Sequence, residues 1–249
     1  MSLLRLNHAT DAETVDSRWS WLYKIGGAAA LLVAVIIPIQ IIVYIVSPPP
    51  STAIDYFTLF QSNSLLGLLA LDLLIIVDIV LGIPLLLALY IALRRSSESF
   101  MAIALALGFS GSTAYIASNT AFNMLYLSKQ YATATTDAQR SLFLATGEAM
   151  LGIFNGTAFQ LNYVLGSVVM IIISAVMLQS NIFSKITAYM GILAGVIGFG
   201  LYVPTIGIYI SIFSVVFMAI WYILIARRLF KLGQGVSKEE ANRIGGIFR

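Results

Sequence analysis

The sequence contains no cysteine and a single histidine, His8, and only 10% of its 249 residues are charged. The absence of cysteine excludes disulfide frameworks, cysteine-ligated zinc, iron–sulfur clusters and thiol nucleophiles. One histidine near the N-terminus leaves little scope for imidazole catalysis. Soluble domains carry about a quarter of charged residues, so this chain has too few polar groups to coat a water-soluble globule.

Long apolar runs dominate the chain instead, and 59% of its residues are hydrophobic. A helix needs about 20 mostly apolar residues to cross a bilayer, and these runs lack the alternating pattern of a membrane β-barrel. We therefore predict an all-α fold, a polytopic membrane helical bundle with six transmembrane helices. The predicted helices are 22–46, 64–93, 100–127, 153–178, 186–203 and 205–226, with a tight turn at 204–207.

Lysine and arginine are distributed unevenly between the two sides of such a bundle. Six crossings place both termini and the loops after the second and fourth helices on one side, which holds every basic residue except Lys129 and Arg140. Cytoplasmic loops are enriched in basic residues, so we predict a multi-pass protein of the cytoplasmic membrane with both termini cytoplasmic. The predicted parts are an N-terminal cytoplasmic segment (1–21), the membrane domain (22–228) and a cytoplasmic tail (229–249).

Two sequences match the capping box that starts a helix. In the tail, 237–240 reads Ser-Lys-Glu-Glu, and between the third and fourth helices 136–139 reads Thr-Asp-Ala-Gln. A helix from Asp137 to Leu178 would be about 60 Å long, more than one bilayer. We expect either a continuous or bent helix, with Gly147, Gly152 and Gly156 as candidate bends, or a separate interfacial helix over 137–151.

Polar residues recur inside the apolar helices. They follow steps of three and four in the third helix, which places them on one face, and steps of seven in the fourth. They are Ser112, Tyr115, Asn119, Asn123 and Tyr126 in the third helix, and Glu148, Asn155 and Asn162 in the fourth. Counting from the loop tip and the helix ends places Asp78, Tyr115, Asn119 and Glu148 in one layer, in the outer half of the membrane. Asp72 lies on another side of the second helix, nearer the outer interface.

Asp78 is the residue on which a functional interpretation depends most. An ionised carboxylate at the centre of a membrane helix costs about 2.5–3.5 kcal/mol, and the only basic residue within a predicted span is Lys24, at the cytoplasmic end of the first. The side chain must therefore be protonated, hydrated or bound to a cation. We predict a ligand site formed by Asp78, Tyr115, Asn119, Asn123, Glu148 and Asn155. The alternative is that these polar groups only bond neighbouring helices to each other, which is a common role.

Four short segments carry a resemblance to a known family. They are Ala-Leu-Tyr-Ile-Ala-Leu-Arg-Arg at 88–95, Asn-Thr-Ala-Phe-Asn at 119–123, Gly-Thr-Ala-Phe-Gln at 156–160 and Tyr-Ile-Leu-Ile-Ala-Arg-Arg at 222–228. From about residue 23 to 232 the chain resembles a family of prokaryotic integral membrane proteins catalogued as a domain of unknown function (the DUF4386 type). The resemblance implies a small polytopic protein of the cytoplasmic membrane. It carries over no substrate, cofactor or catalytic residue.

Two hypotheses from different functional classes follow. The first is a small transporter or a cation- or polar-solute-binding protein, because polar groups and broken helices form such sites in membranes. The second is a non-enzymatic accessory, sensor or scaffold module whose polar residues are purely structural. We predict no enzymatic activity, catalytic residue, metal site or cofactor, because the sequence groups no nucleophile–base pair or metal ligands. The expected partners are the lipid bilayer, a small solute or cation and another membrane protein, and not nucleic acid.

Overall fold

The computed structural model describes residues 19–247, with their side chains except at residue 208 and residues 235–247. It is 87% helical, and the described part of the chain contains no strand. A short 3-10 turn, Phe199–Tyr202, follows α9. The helices are α1 (Ser20–Val46), α2 (Ala53–Ser62), α3 (Ser64–Ala70), α4 (Leu73–Leu93), α5 (Glu98–Ser118), α6 (Ala121–Thr133), α7 (Asp137–Phe154), α8 (Thr157–Gln179), α9 (Lys185–Gly198) and α10 (Gly207–Ile247).

Six helical stretches are long and apolar enough to cross a membrane, and this confirms the predicted all-α membrane bundle. Large apolar side chains such as Val35, Ile42 and Val80 are exposed along these stretches, as expected of surfaces that face lipid. The stretches are Ser20–Val46, Leu73–Leu93, Glu98–Thr133, Asp137–Gln179, Lys185–Tyr202 and Tyr209–Gln234.

Four helices, α2, α3, α6 and α7, pack against one another. α5 and α8 contain 21 and 23 residues, about 30–35 Å of helix, so each is long enough to cross the hydrocarbon without them. α6 and α7 extend past them, and α2 and α3 occupy the connection between α1 and α4. Counting the crossings places both connections on the same side of the bundle. The four helices form a subdomain, the four-helix subdomain, whose core includes Tyr56, Phe57, Phe60, Leu71, Met124, Leu127 and Leu151.

Three helices that the sequence predicts as continuous are each interrupted by two residues. The interruptions are Leu71–Asp72 between α3 and α4, 119–120 between α5 and α6, and 155–156 between α7 and α8. The second transmembrane helix therefore begins at Leu73 and the third ends before residue 127. The long fourth helix breaks at Gly156, one of the candidate bends, and α7 is a separate helix that ends at Phe154, three residues beyond the predicted 137–151.

The capping predictions have different outcomes. α7 begins at Asp137 as predicted, and the Thr136 hydroxyl accepts a hydrogen bond from the Gln139 backbone N–H at 3.2 Å. The turn between α9 and α10 is also confirmed, with Thr205 at φ 72°. The helix start predicted at 237–240 is wrong, because α10 runs without interruption from Gly207 to Ile247. No proline breaks α10 ahead of that sequence, so the capping residues have no helix end to occupy.

The described chain divides into two compact units. The first unit comprises residues 19–34, Leu81–Leu105 and 169–247, and the second comprises Val35–Val80 and Ala106–Val168. α9 and α10 belong wholly to the first unit, and the four-helix subdomain belongs wholly to the second. α1, α4, α5 and α8 contribute one part to each unit.

Candidate functional site

The interruption between α3 and α4 places a carboxylate inside the second unit. α3 ends at Ala70, Leu71 and Asp72 form a turn, and α4 begins at Leu73. Asp72 has φ 63° and is only 7% exposed. Among non-glycine residues, aspartate and asparagine are enriched in this left-handed region. Such a conformation costs of order 1 kcal/mol and persists only where the surrounding contacts hold it.

Two tyrosines bind the Asp72 carboxylate. Tyr44 of α1 donates its hydroxyl to Oδ1, and Tyr115 of α5 donates its hydroxyl to Oδ2. Asp72 lies just before the membrane-spanning α4. Burial raises its pKa to about 6, and the hydrogen bond from Tyr115 partly opposes this rise in pKa. The carboxylate is therefore mostly ionised at neutral pH. Its partners are phenols and not basic side chains, so its negative charge is not balanced within this cluster.

Two amide side chains hold the backbone of the same interruption. The Gln40 side chain donates from Nε2 to the Leu69 carbonyl at 3.2 Å, and the Asn119 side chain donates from Nδ2 to the Leu71 carbonyl at 3.0 Å. The amide and the phenol on each side are four residues apart: Gln40 and Tyr44 belong to α1, and Tyr115 belongs to α5 with Asn119 just after its end. We call these residues the Asp72 site: Gln40, Tyr44, Asp72, Tyr115 and Asn119.

Gln40 has an oxygen that its hydrogen bonds leave unused. The side chain is 3% exposed, and its Oε1 is buried and has no hydrogen-bond partner among the described residues. A buried acceptor without a donor costs about 1–3 kcal/mol. A small cation, an ammonium group or a water molecule would satisfy it. Together with the ionised carboxylate, this oxygen makes the Asp72 site a set of acceptors in need of positive charge.

Two of the six predicted ligand residues, Tyr115 and Asn119, lie in the Asp72 site. The structure does not place Asp78 there, because Tyr115 donates to Asp72. The predicted layer of Asp78, Tyr115, Asn119 and Glu148 was based on one regular helix over 64–93. In such a helix Asp72 faces away from the third helix. The positive φ at Asp72 breaks that regularity and brings its carboxylate to Tyr44 and Tyr115. Asp78 keeps a buried Oδ1 with no hydrogen-bond partner among the described residues.

The other three predicted ligand residues bond locally within the four-helix subdomain. Glu148 accepts through Oε1 from the Ala53 backbone N–H at 2.8 Å, so it caps the N-terminus of α2. Asn155 donates to the Leu151 carbonyl at 3.1 Å, at the end of α7. Asn123 is exposed and its amide lies 3.9 Å from a methionine sulfur. None of these bonds reaches Asp78.

Sequence reasoning missed Gln40, Tyr44 and Asp72 as members of one site. For Gln40 and Tyr44 the sequence contained a signal. This amide and phenol have the same spacing in the first helix as Tyr115 and Asn119 have in the third. The left-handed conformation of Asp72 had no comparable signal. It depends on partners from two other helices, which are remote in sequence.

Neither metal-ligand geometry nor similarity to known proteins identifies a ligand for the Asp72 site. In the part of the chain that the structure describes, no group of three or more His, Asp or Glu side chains could hold a metal ion. Comparison with protein-family models, curated proteins and solved structures finds no match. The family resemblance therefore stays a prediction, and any function has to be argued from the Asp72 site itself.

Proposed function

We propose that this protein is a small transporter or solute-binding protein of the cytoplasmic membrane, with both termini cytoplasmic, which binds a cation or a cationic polar solute at the Asp72 site. One observation carries the proposal: a buried carboxylate lies at a helix interruption and is bonded to two phenols and to no basic side chain. Membrane transporters bind substrates and ions at interrupted helices, where backbone and side-chain polar groups are freed from regular helical bonding.

Cation binding at this site has a measurable consequence for stability. A ligand that binds the folded state alone stabilises it by RT ln(1 + [L]/Kd), which is about 2.7 kcal/mol at a hundredfold excess over Kd. A bound cation would neutralise Asp72 and supply the missing partner of the Gln40 Oε1 atom. The melting temperature should therefore rise with the concentration of the correct cation and then saturate.

The test is a thermal-unfolding screen of the purified full-length chain in detergent at neutral pH and constant ionic strength. The probes are sodium, potassium, ethylammonium and choline chlorides. We expect one of the small cations to raise the melting temperature of the wild type and to leave that of Asp72→Asn unchanged. Asparagine keeps the size and tolerates the positive φ of Asp72, but it removes the charge.

The matched control is Asp137→Asn, which removes an exposed carboxylate in the first turn of α7. It should keep the full response to the cation. A response of Asp72→Asn equal to that of the wild type would remove Asp72 from the ligand site. The absence of any cation response in the wild type would reject the proposal as a whole.

A second candidate function, a non-enzymatic scaffold or accessory module, is favoured by a different observation. Asn119, Glu148 and Asn155 each bond to backbone groups at helix ends, which is what purely structural polar residues do. If this is the whole role of the polar groups, Asp72→Asn should shift the melting temperature by the same amount in every salt. Cation-selective shifts would exclude this reading.

A further inference from the structure

The Asp72 site contains a single group that carries charge. Each oxygen of the Asp72 carboxylate accepts one phenol hydroxyl, from Tyr44 and from Tyr115, and a phenol is neutral at physiological pH. The other two members, Gln40 and Asn119, are neutral amides. A ligand that neutralises this site therefore brings one positive charge.

No basic side chain of the second unit is bonded to Asp72. The unit has two described basic residues, Lys129 and Arg140, and both are exposed, whereas Asp72 is buried. The parts of α1, α5 and α8 that belong to this unit contain no charged residue, and neither does α3. Other titratable groups on the neighbouring elements are neutral phenols or acids, namely Tyr56 of α2, Tyr163 of α8 and Asp78 of α4.

The ligand groups of the site suit a monovalent cation better than a divalent one. Calcium takes about six to eight oxygen ligands, and magnesium takes about six in nearly octahedral geometry. Among the residues that the structure describes, no three His, Asp or Glu side chains are grouped closely enough to share a metal ion. With one carboxylate, a divalent cation would leave an unbalanced positive charge in a buried site, which is costly.

A proton neutralises the same carboxylate. Asp72 is buried, and burial raises the pKa of its carboxyl group to about 6, so the protonated form is populated close to neutral pH. A protonated carboxyl group has no charge that attracts a cation, and a cation beside the carboxylate disfavours its protonation. Both phenols can adapt to either state, because a hydroxyl group donates and accepts. The proton and the cation therefore compete for Asp72.

We propose that the Asp72 site exchanges one proton for one monovalent cation. The Asp72 carboxyl group releases H⁺ to water as the cation binds, and the carboxylate then pairs with the cation, so the site is neutral in both states. The inference rests on the proposed cation binding and adds to it the valence of the cation and the coupling to protons. A transporter with this site would carry the two ions in opposite directions without net movement of charge.

The experiment measures cation binding by the thermal stability of the full-length chain in detergent at pH 5, 6 and 7 and constant ionic strength. The probes are sodium, potassium and ethylammonium chlorides, with calcium chloride as the divalent comparison. A carboxyl group with a pKa of about 6 is mostly protonated at pH 5 and mostly ionised at pH 7. The apparent affinity for the monovalent cation should therefore fall about tenfold from pH 7 to pH 5.

Proton release is measured directly with a pH indicator in weakly buffered solution at pH 6. We expect about half a proton to be released for each cation bound, because about half of the sites are protonated at a pH equal to the pKa. Asp72→Asn should release none. The matched control Asp137→Asn removes an exposed carboxylate and should release as many protons as the wild type.

Tyr44→Phe tests the exchange even if Asp72→Asn does not fold. It removes one of the two hydrogen bonds that favour the ionised carboxylate, so the pH at which cation affinity is halved should move upward, with binding retained at pH 8. Loss of a purely structural contact would not move that pH.

The possible outcomes separate the exchange from the proposed function. The absence of a response to every cation at every pH would reject both. A cation response that is equal at pH 5 and pH 7, without proton release, would leave cation binding intact and rule out the exchange. Tighter binding of calcium than of each monovalent cation would contradict the valence. Undiminished proton release in Asp72→Asn would assign the exchange to another carboxyl group and overturn the proposal.

Discussion

Both units contain close helix contacts at glycine, but the second unit also joins its helices through many hydrogen bonds from side chains to backbone groups, of which the first unit has few. In the first unit, Gly191 of α9 leaves room for Ser174 of α8 and Trp221 of α10. In the second, Ser128 of α6 donates to the Phe57 carbonyl at 2.9 Å, and Glu148 of α7 binds the start of α2. Close apolar packing needs regular helices, whereas side-chain bonds can replace missing helical bonds. All three helix interruptions lie in the second unit, where side chains such as Asn119 and Asn155 bond to backbone carbonyls at the broken helix ends.

The two units also differ in charge. Seven basic side chains and one acid are described in the first unit, and two basic side chains and five acids in the second. The acids of the second unit are Asp55, Asp72, Asp78, Asp137 and Glu148. The charge of the second unit matches the proposed cation site, since an acidic region attracts cations.

The largest expected effect concerns the ionised carboxylate of the second unit. The pKa of Asp72 is raised from its ordinary value to about 6 by burial, so its contribution to stability is fully present below about pH 4 and is lost as pH rises through about 6. A shift of this size corresponds to about 3 kcal/mol. In Asp72→Asn we expect this pH dependence to disappear.

The measurement is the melting temperature of the wild type and of Asp72→Asn between pH 4 and pH 7, without added cation. Asp137→Asn removes an exposed carboxylate, so it serves as the control and should follow the wild type. If the curves of the wild type and Asp72→Asn ran parallel, the buried carboxylate would not be the source of the pH dependence.

The next effect tests the glycine packing of the first unit. In Gly191→Ala the new Cβ would overlap the Ser174 hydroxyl and lie 2.7 Å from Cδ1 of Trp221, so the helices must move apart. Overpacking of this kind costs about 1–3 kcal/mol. The matched control is Gly82→Ala in α4, where a Cβ meets nothing within 4 Å. Equal melting temperatures of the two variants would show that close packing at Gly191 is not required.

A smaller effect is expected at the start of α2 in the second unit. Glu148→Ala removes the acceptor of the Ala53 N–H, and the loss of an N-terminal cap typically costs about 1 kcal/mol. Glu148→Gln keeps an acceptor oxygen and should lose only part of this. Hydrogen exchange of the α2 amides measures the effect locally. Unchanged exchange in Glu148→Ala would mean that water replaces the side chain without cost.

The sequence predicts the membrane crossings of this structure better than it predicts the helix interruptions of the second unit. Six apolar runs predict the six crossings, because a crossing depends on length and hydrophobicity within one segment. The close packing of Gly191 and Gly198 on α9 is likewise visible in the spacing of small residues. The interruption at Asp72 was not predictable, because its left-handed conformation depends on Gln40, Tyr44 and Asn119, which come from other helices. Local pattern therefore predicts the first unit better than the second.

The smallest effect on stability is expected at Asp78, and it separates the role of Asp78 in α4 from that of Asp72, which precedes α4. The sequence alone predicts that Asp78→Asn abolishes any cation-dependent behaviour while the protein still folds. The structure leads to another expectation, because Asp78 has no hydrogen bond to a member of the Asp72 site. Asparagine is nearly isosteric with aspartate, so we expect a change in unfolding free energy within about 0.5 kcal/mol and a retained cation response.

The measurement is cation-dependent thermal stability, and uptake by reconstituted vesicles, for Asp78→Asn and Asp72→Asn side by side. Loss of the response in both variants would extend the ligand site along α4 from the interruption into the membrane span. Loss in Asp78→Asn alone, with the fold intact, would move the site to Asp78 and leave Asp72 as the structural anchor of the interruption. Retention in Asp78→Asn with loss in Asp72→Asn would place the ligand at the start of α4, where the two phenols bind the Asp72 carboxylate.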